Sequence, residues 1–415
     1  MTSPQATPDA AAPAPLARRV ARRAWRLREQ LDLRARSRRL NILQHEMGIM
    51  PPSVNAVIVA DKVATQHDLE IAERLLAAHR AAARAAPQAQ QPAERDDLWT
   101  KIAARQSRFA SILEGGDAAE LASYLCNVSR HDASEGITQG EHEYARITSD
   151  RAHRRFIALM ALDKLVSLAE AVGALPVENP EQGSWGTTAR SRPAELVERI
   201  SARLGTEITP PDVDGGLLKI DTGRGLFGER DANAIYTAHL LRETTRGLLG
   251  PRICEIGGGS GRVAYWSRRF GLTSYTIVDL PHVNVVQGYY ALKSLPADEI
   301  VLYGEEPAGA SAGCLQILPA HAVEELDGSR FDLVLNQDSF PEMSPATVAD
   351  YLRWIAARCD GWLMSINHES KPTHGAFEHV SVPEMTSAHG GFELGYRFPY
   401  WLRRGYVVEL NRIRR

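Results

Sequence analysis

At 415 residues the chain exceeds one average domain, and with 44% hydrophobic and 24% charged residues it has the make-up of an ordinary globular protein. A formal net charge of -3 gives no global reason to expect a nucleic-acid partner. Cys126, Cys254, Cys314 and Cys359 lie far apart with no CxxC pair, which argues against a disulfide framework or a zinc site and fits a reducing compartment. The opening stretch MTSPQATPDAAAPAPL has no apolar core for a secretory signal, and no apolar run reaches membrane-spanning length. A soluble cytoplasmic protein without a membrane span is expected.

In chain order, residues 1–15 read as a disordered Ala/Pro tail. Between Arg18 and Arg39 ten arginines face two acids, Glu29 and Asp32, while Leu16, Val20, Ala24, Leu27 and Leu31 recur at helical spacing. This is an amphipathic basic helix, suited either to a membrane or nucleic-acid surface or to docking on the next domain; arginine is preferred over lysine throughout, which favours the docking reading. Residues 16–195 form a helical amino-terminal domain. Ile71, Leu75, Ala78 and Ala82 mark one helix, ended near Pro87, and FIALMALDKLVSL (156–168) marks a buried one. Asp132, Glu135, Glu141, His142 and Glu143 cluster in sequence, as loop charges often do without holding a metal. Pro176 to Arg192 reads as a linker.

From 196 to 415 strands alternate with helices: ICEIG (253–257), YTIVD (275–279), EIVLYG (299–304), FDLVLN (331–336), GWLMSIN (361–367) and YVVELNRI (406–413). That alternation predicts an α/β fold, a doubly wound, mostly parallel Rossmann-like sheet, with its ligand beyond the carboxyl ends of the strands.

The first of these strands runs into a glycine turn, Glu255-x-Gly257-x-Gly259-x-Gly261. A dinucleotide fingerprint requires a third glycine where Arg262 stands, and a phosphate-binding loop requires a lysine, which is absent here. Glycines let a backbone pass close under a ligand, and a nearby carboxylate suits a ligand carrying an ammonium and a sulfonium group, as in S-adenosylmethionine. Asp279, followed by Leu280, ends the next strand, where a carboxylate can accept hydrogen bonds from both ribose hydroxyls.

CEIGGGSGRVAYW (254–266), TIVDLPHVNVVQGYY (276–290), FDLVLNQDSFPEM (331–343) and SINHE (365–369) together resemble the class I S-adenosylmethionine-dependent methyltransferases, and more narrowly the bacterial sugar O-methyltransferases. The resemblance covers roughly residues 190–410. It implies S-adenosylmethionine as cofactor and transfer of its methyl group to a sugar hydroxyl, free, nucleotide-linked or on a natural product. DLPHV also occurs in enzymes that methylate phenols, whose His-Asp-Trp stretch is replaced here by Gln337-Asp338-Ser339. A phenolic or other small acceptor, a dinucleotide-dependent oxidoreductase and a non-catalytic protein of the same fold are the alternatives.

Because the cofactor is already activated, the protein has to position the reactants and remove a proton. On this fold Asn336 and Gln337 reach the cofactor, and Asp338 stands beside them as base or metal ligand. His368, at the next strand end, is the preferred base, with Glu369 or Asp338 orienting it. A divalent cation such as magnesium, bridging Asp338, Glu342 or Glu369 to substrate hydroxyls, is the other arrangement. Tyr236 or Arg242 is placed toward the cofactor carboxylate. Residues 371–395 show little periodicity and read as a lid or binding loop, with His374, Glu378 and His379 able to reach a substrate. The helical half either covers the cleft or forms a homodimer contact.

Overall fold

The computed structural model describes residues 54–86, 98–177, 191–306, 313–326, 330–371, 373–374 and 377–414, with Ala24, Leu27, Arg28 and Leu31 before them. The tail expected over 1–15 and most of the linker expected after Pro176 lie outside these residues. The chain divides into two compact units, Met1–Ser53 and Val54–Arg415. In the first, Ala24, Leu27, Arg28 and Leu31 are helical and exposed; all that follows concerns the second.

That unit opens on β1 (Ala56–Ile58), which pairs antiparallel with β2 (Leu218–Asp221), itself paired with β3 (Leu226–Phe227). Helix α1 (Gln66–Ala85) starts at a capping box: Thr65 Oγ1 accepts the Asp68 N–H at 3.3 Å, and Asp68 Oδ2 accepts the Thr65 N–H at 2.9 Å. After α2 (Leu98–Ala103), α3 (Ser107–Gly115) and α4 (Ala118–Leu125) come α5 (Gly140–Ser149), the long α6 (Arg151–Ala171) and α7 (Pro193–Leu204). The acidic residues around 132–143 serve this helical packing. Asp132 accepts the Arg108 and Phe109 N–H groups that open α3, and Glu135 accepts the His142 N–H at 3.2 Å.

Helix α8 (Glu229–Thr244) then leads into the main sheet: β4 (Arg252–Ile256), α9 (Arg262–Arg269), β5 (Ser274–Asp279), α10 (Pro281–Ser294), β6 (Ile300–Leu302), β7 (Leu315–Pro319), β8 (Phe331–Gln337), α11 (Pro345–Arg358) and β9 (Cys359–His368). A hairpin, β10 (Thr373–His374) and β11 (Phe377–Glu378), and helix α12 (Val382–His389) precede β12 (Phe392–Pro399) and β13 (Tyr406–Ile413). The eight strands lie in the order β12-β13-β9-β8-β4-β5-β7-β6. All neighbours are parallel except β13, which is antiparallel to both β9 and β12. This is a Rossmann-like, mostly parallel sheet, doubly wound about β4. Two of its strands escape a reading by pattern: β7 is a five-residue run closed by a proline, and β12 is an edge strand that is mostly exposed. The segment 371–395, expected to lack regular structure, holds among its described residues the hairpin, α12 and the start of β12.

Alternation along the strands builds two cores. Ile253, Ile277, Leu335 and Ile366 join one core with Trp266 of α9 and Tyr289 of α10, and the same core takes Leu75 of α1, Leu121 of α4, Leu165 of α6 and Ile200 of α7. Cys254, Ile256, Val278 and Val334 face the other way, toward Val348 and Leu352 of α11. The helical segment and the sheet therefore share one apolar core. Among the described residues, no helix is long and apolar enough to cross a membrane.

The two layers approach closely at Gly288 of α10, where a Cβ would lie 2.4 Å from Leu75 Cδ2 and 3.3 Å from Leu302 Cδ2. Alanine gains up to about 1 kcal/mol over glycine in helix propensity, but overpacking a filled core costs about 1–3 kcal/mol. Gly288→Ala should therefore lower the unfolding free energy by on the order of 1 kcal/mol in denaturant titration. Unchanged stability would mean that Leu75 swings clear.

Candidate active site

The turn between β4 and α9 is held from two sides. Gly257, Gly259 and Gly261 all have positive φ (75°, 56° and 76°). A Cβ on Gly257 would sit 2.1 Å from Ser339 Oγ, and one on Gly258 would sit 2.8 Å from Ile277 Cγ2 and 3.2 Å from Glu255 Oε2. At Gly259 the space opens, with Ile137 Cγ2 at 3.9 Å the nearest atom to such a Cβ. The turn thus has a packed underside and one open face.

Asn336, fully buried at the end of β8, fixes this packing. Its Nδ2 donates to the Ile256 carbonyl (3.1 Å) and to Ser339 Oγ (2.6 Å), and its Oδ1 accepts from Phe340 N (3.3 Å) and Asn367 Nδ2 (3.0 Å). Ser339 Oγ donates to the same Ile256 carbonyl at 3.1 Å. Asn336 therefore ties the ends of β4, β8 and β9 together, and its polar atoms are used within the protein. Gln337, next to it, accepts from Thr237 Oγ1 at 2.9 Å.

Asp279 lies across the turn at the end of β5. Its Oδ2 accepts the Gly259 N–H (3.2 Å) and Gln287 Nε2 (2.6 Å), and its Oδ1 accepts the Leu280 N–H (2.8 Å). Asn284 Nδ2 holds Gln287 Oε1 at 2.9 Å, so α10 supplies a relay that orients the carboxylate. Burial pushes the Asp279 carboxyl up to about 6, against the pull of these donors. Glu255 has a different place from the one expected. It is 2% exposed beneath Gly258, takes a 3.0 Å hydrogen bond from Tyr275 Oη, and is pushed by burial up to about 8. A carboxyl in that position supports the turn from below and does not face the open side.

The second group of residues gathers at the ends of β8 and β9. Asp338 is the one non-glycine residue with positive φ (66°) among those described, a conformation that asparagine and aspartate tolerate best and that often marks a site. Arg403 Nη1 donates to both its oxygens, at 2.9 and 2.8 Å, and the same guanidinium lies over the Tyr406 ring at 3.8 Å. Burial, then Asp338, pushes the Tyr406 phenol well up, so it stays protonated. The ring of His368 stands 5.6 Å from that of Tyr406 and 5.2 Å from that of His379.

The partners expected for His368 are not the ones it has. Glu369 pairs with Arg397 Nη2 at 2.7 Å, because consecutive residues at a strand end point to opposite faces. Asp338 is held by Arg403, and His368 Nδ1 instead meets the Ser370 carbonyl at 3.0 Å. Asp338, Glu342 and Glu369 do not converge: among the described residues, no group of three or more His, Cys, Asp or Glu is arranged to hold a metal. Neither expected carboxylate contact on α8 is in view. Tyr236 is 6% exposed with its ring 5.2 Å from that of Tyr400, and Arg242 donates to the Leu204 carbonyl at 3.0 Å.

Beside the turn a small, open pocket lies between the helical segment and α8, lined by Gln139, Glu143, Gly228, Glu229, Arg230 and Arg262 among others. Arg262, where a dinucleotide turn has its third glycine, is buried with Ser260 Oγ at 2.6 Å and Asp231 Oδ1 at 3.4 Å. Ser339, Gln287, Arg403 and Tyr406 carry no signature of their own in the sequence, since each acts on a residue brought to it by the fold.

No family model matches the chain, and no curated protein does. Among solved structures it is similar to the CcbJ methyltransferase from Streptomyces caelestis, at 14% identity and a TM-score of 0.32 over 44% of this chain and 90% of that one. It is also similar to the glycopeptide N-methyltransferase MtfA complexed with S-adenosyl-L-methionine, at 15% identity and a TM-score of 0.33 over 44% and 94% of the two chains. A third is the magnesium protoporphyrin IX methyltransferase from Synechocystis PCC 6803, at 14% identity and a TM-score of 0.31 over 44% and 79%.

The raised Glu255 carboxyl has a consequence for stability. Because its folded pKa lies above the unfolded value, the folded state is favoured at low pH and loses that advantage as pH rises from about 4.5 to about 8. Glu255→Gln, which is never charged, should gain melting temperature over the parent at pH 8 and little at pH 4. An equal difference at both pH values would show that Glu255 is not held protonated.

Proposed function

We propose that the protein is an S-adenosylmethionine-dependent O-methyltransferase acting on a sugar hydroxyl. The observation that carries this reading is the pairing of the open glycine turn with Asp279, whose carboxylate holds Gly259 N–H at 3.2 Å across the turn. The site fits the cofactor by the chemistry of its donors and acceptors. Gly259 leaves room above the turn, where its Cβ would otherwise stand. The long Gly259 contact is the one a ribose hydroxyl would displace, while Gln287 and Leu280 keep the carboxylate aimed. A neutral Glu255 leaves Asp279 as the acid that meets the ligand.

S-adenosylmethionine, when bound, supplies a methyl group already activated by a sulfonium. The chain's own part is to hold the acceptor oxygen in line and take its proton. His368 is suited to that. The Ser370 carbonyl lies 3.0 Å and the Ser370 hydroxyl 3.2 Å from Nδ1, and a proton held at Nδ1 by the carbonyl would turn the Nε2 lone pair to the acceptor. The Asp338–Arg403 pair and the protonated Tyr406 stand beside it to orient the acceptor's hydroxyls. The sugar acceptor rests on the resemblance of the 331–343 and 365–369 stretches and on the need for a base, since a sugar hydroxyl is a far weaker acid than a phenol.

Calorimetric titration of S-adenosylmethionine should give binding that Asp279→Ala abolishes. Because the ionised carboxylate is the acceptor, affinity should be full above pH 7 and fall as pH drops through about 6. No binding to the parent protein at any pH would sink the methyltransferase reading. His368→Ala should cut turnover by roughly 10²–10⁴ with cofactor affinity unchanged, followed as a one-methyl mass gain on free and nucleotide-linked sugars. Methylation of phenols alone would overturn the sugar acceptor.

A further inference from the structure

Arg230, the second residue of α8, lines the pocket beside the glycine turn together with Arg262. Its side chain is exposed, yet the surrounding protein desolvates it enough to hold its pKa below the ordinary value. Its place in the pocket lining, beside the buried Arg262, is what sets it apart from a surface arginine. The charges it feels are those of Glu229, Asp338, Arg403 and Arg262, which places it between the pocket and the ends of β8 and β9.

The cations around it each have a carboxylate. Lys164 Nζ lies 2.5 Å from Glu229 Oε1, Arg262 Nε lies 3.4 Å from Asp231 Oδ1, and Arg403 Nη1 lies 2.8 Å from Asp338 Oδ2. Both acids that Arg230 feels are therefore taken by other partners, and among the described residues its own donors are left to the pocket. Arg262 and Arg403 also repel it. An anion entering the pocket would relieve that repulsion and accept from a guanidinium fork whose geometry matches carboxylate and phosphate.

We propose that Arg230 binds an anionic oxygen group carried by the acceptor, a phosphate or carboxylate close to the hydroxyl that is methylated. This rests on the methyltransferase reading and narrows its substrate class: a phosphorylated or nucleotide-linked sugar fits, and a neutral free sugar does not. The cofactor's own carboxylate is the other source of the same chemistry, and the experiment separates the two.

Glucose 1-phosphate, glucose and inorganic phosphate are titrated by calorimetry into the parent protein, Arg230→Gln and Arg230→Lys, with and without saturating S-adenosylhomocysteine. The expected result is that glucose 1-phosphate binds the parent with S-adenosylhomocysteine in place and that glucose does not. Its Kd should rise at least about tenfold in Arg230→Gln, the loss typical of a charge-assisted hydrogen bond, with partial recovery in Arg230→Lys. Unchanged S-adenosylhomocysteine affinity and an unchanged melting temperature in Arg230→Gln complete that result. If Arg230→Gln loses S-adenosylhomocysteine and keeps glucose 1-phosphate, Arg230 serves the cofactor and the proposal fails. It also fails if neither phosphate binds the parent, or if both bind all three proteins alike. Failure of S-adenosylhomocysteine to bind the parent would overturn the methyltransferase reading and with it the acceptor, whereas the anion site at Arg230 is judged separately from the titrations without S-adenosylhomocysteine, by whether glucose 1-phosphate loses affinity in Arg230→Gln.

Discussion

The backbone at Gly257 and Gly258 is where β4, β5 and β8 press on one turn, and the rest of the site is arranged around that contact. Ser339 fills the place of a Cβ at Gly257, and Ile277 with Glu255 fills it at Gly258. Asn336, without exposure to water, satisfies the Ile256 carbonyl that the turn leaves behind. An unmade hydrogen bond there would cost about 1–3 kcal/mol, so a single amide holds three strand ends in register. The turn is rigid on its packed side, which leaves Gly259 as the face that meets solvent.

The same packing divides two carboxyls that look alike in the sequence. Glu255 points down into the larger core and is driven neutral, whereas Asp279 at the strand's end keeps three donors and an open edge. Burial raises both; Glu255 has one donor, Tyr275, and is raised further by the charge of Asp279, whereas several donors pull Asp279 back down. At the neighbouring strand ends Asp338 takes a backbone conformation that costs energy and is held there by Arg403. Charge in this region is paired by position, and the exceptions are informative because a desolvated charge without a partner is costly.

The helical segment belongs to the same construction. Its α1 packs on α10 at Gly288, and Tyr289 Oη donates to Asp68 Oδ1 at 2.8 Å. Lys293 joins that acid at 2.8 Å, and hydrogen bonds from Lys293 and Thr65 hold its carboxyl below the usual range despite burial. Since α10 also carries Gln287, the packing of α1 and the aim of Asp279 depend on one helix.

Much of this could be read from the chain. Strand period, glycine spacing and the acid 24 residues after Glu255 are local properties, because φ > 0 and side-chain alternation are decided within a few residues. They fix the sheet, the turn and Asp279. The Ser344–Pro345 start of α11 is local in the same way, with Ser344 Oγ accepting Thr347 N–H at 3.1 Å. Tertiary structure alone decided which charges meet. Asp338 finds Arg403 65 residues away, Glu369 finds Arg397 28 residues away, and Glu255 loses its charge to burial. The physical reason is that ion pairing and desolvation depend on distances in space, which no spacing along the chain encodes.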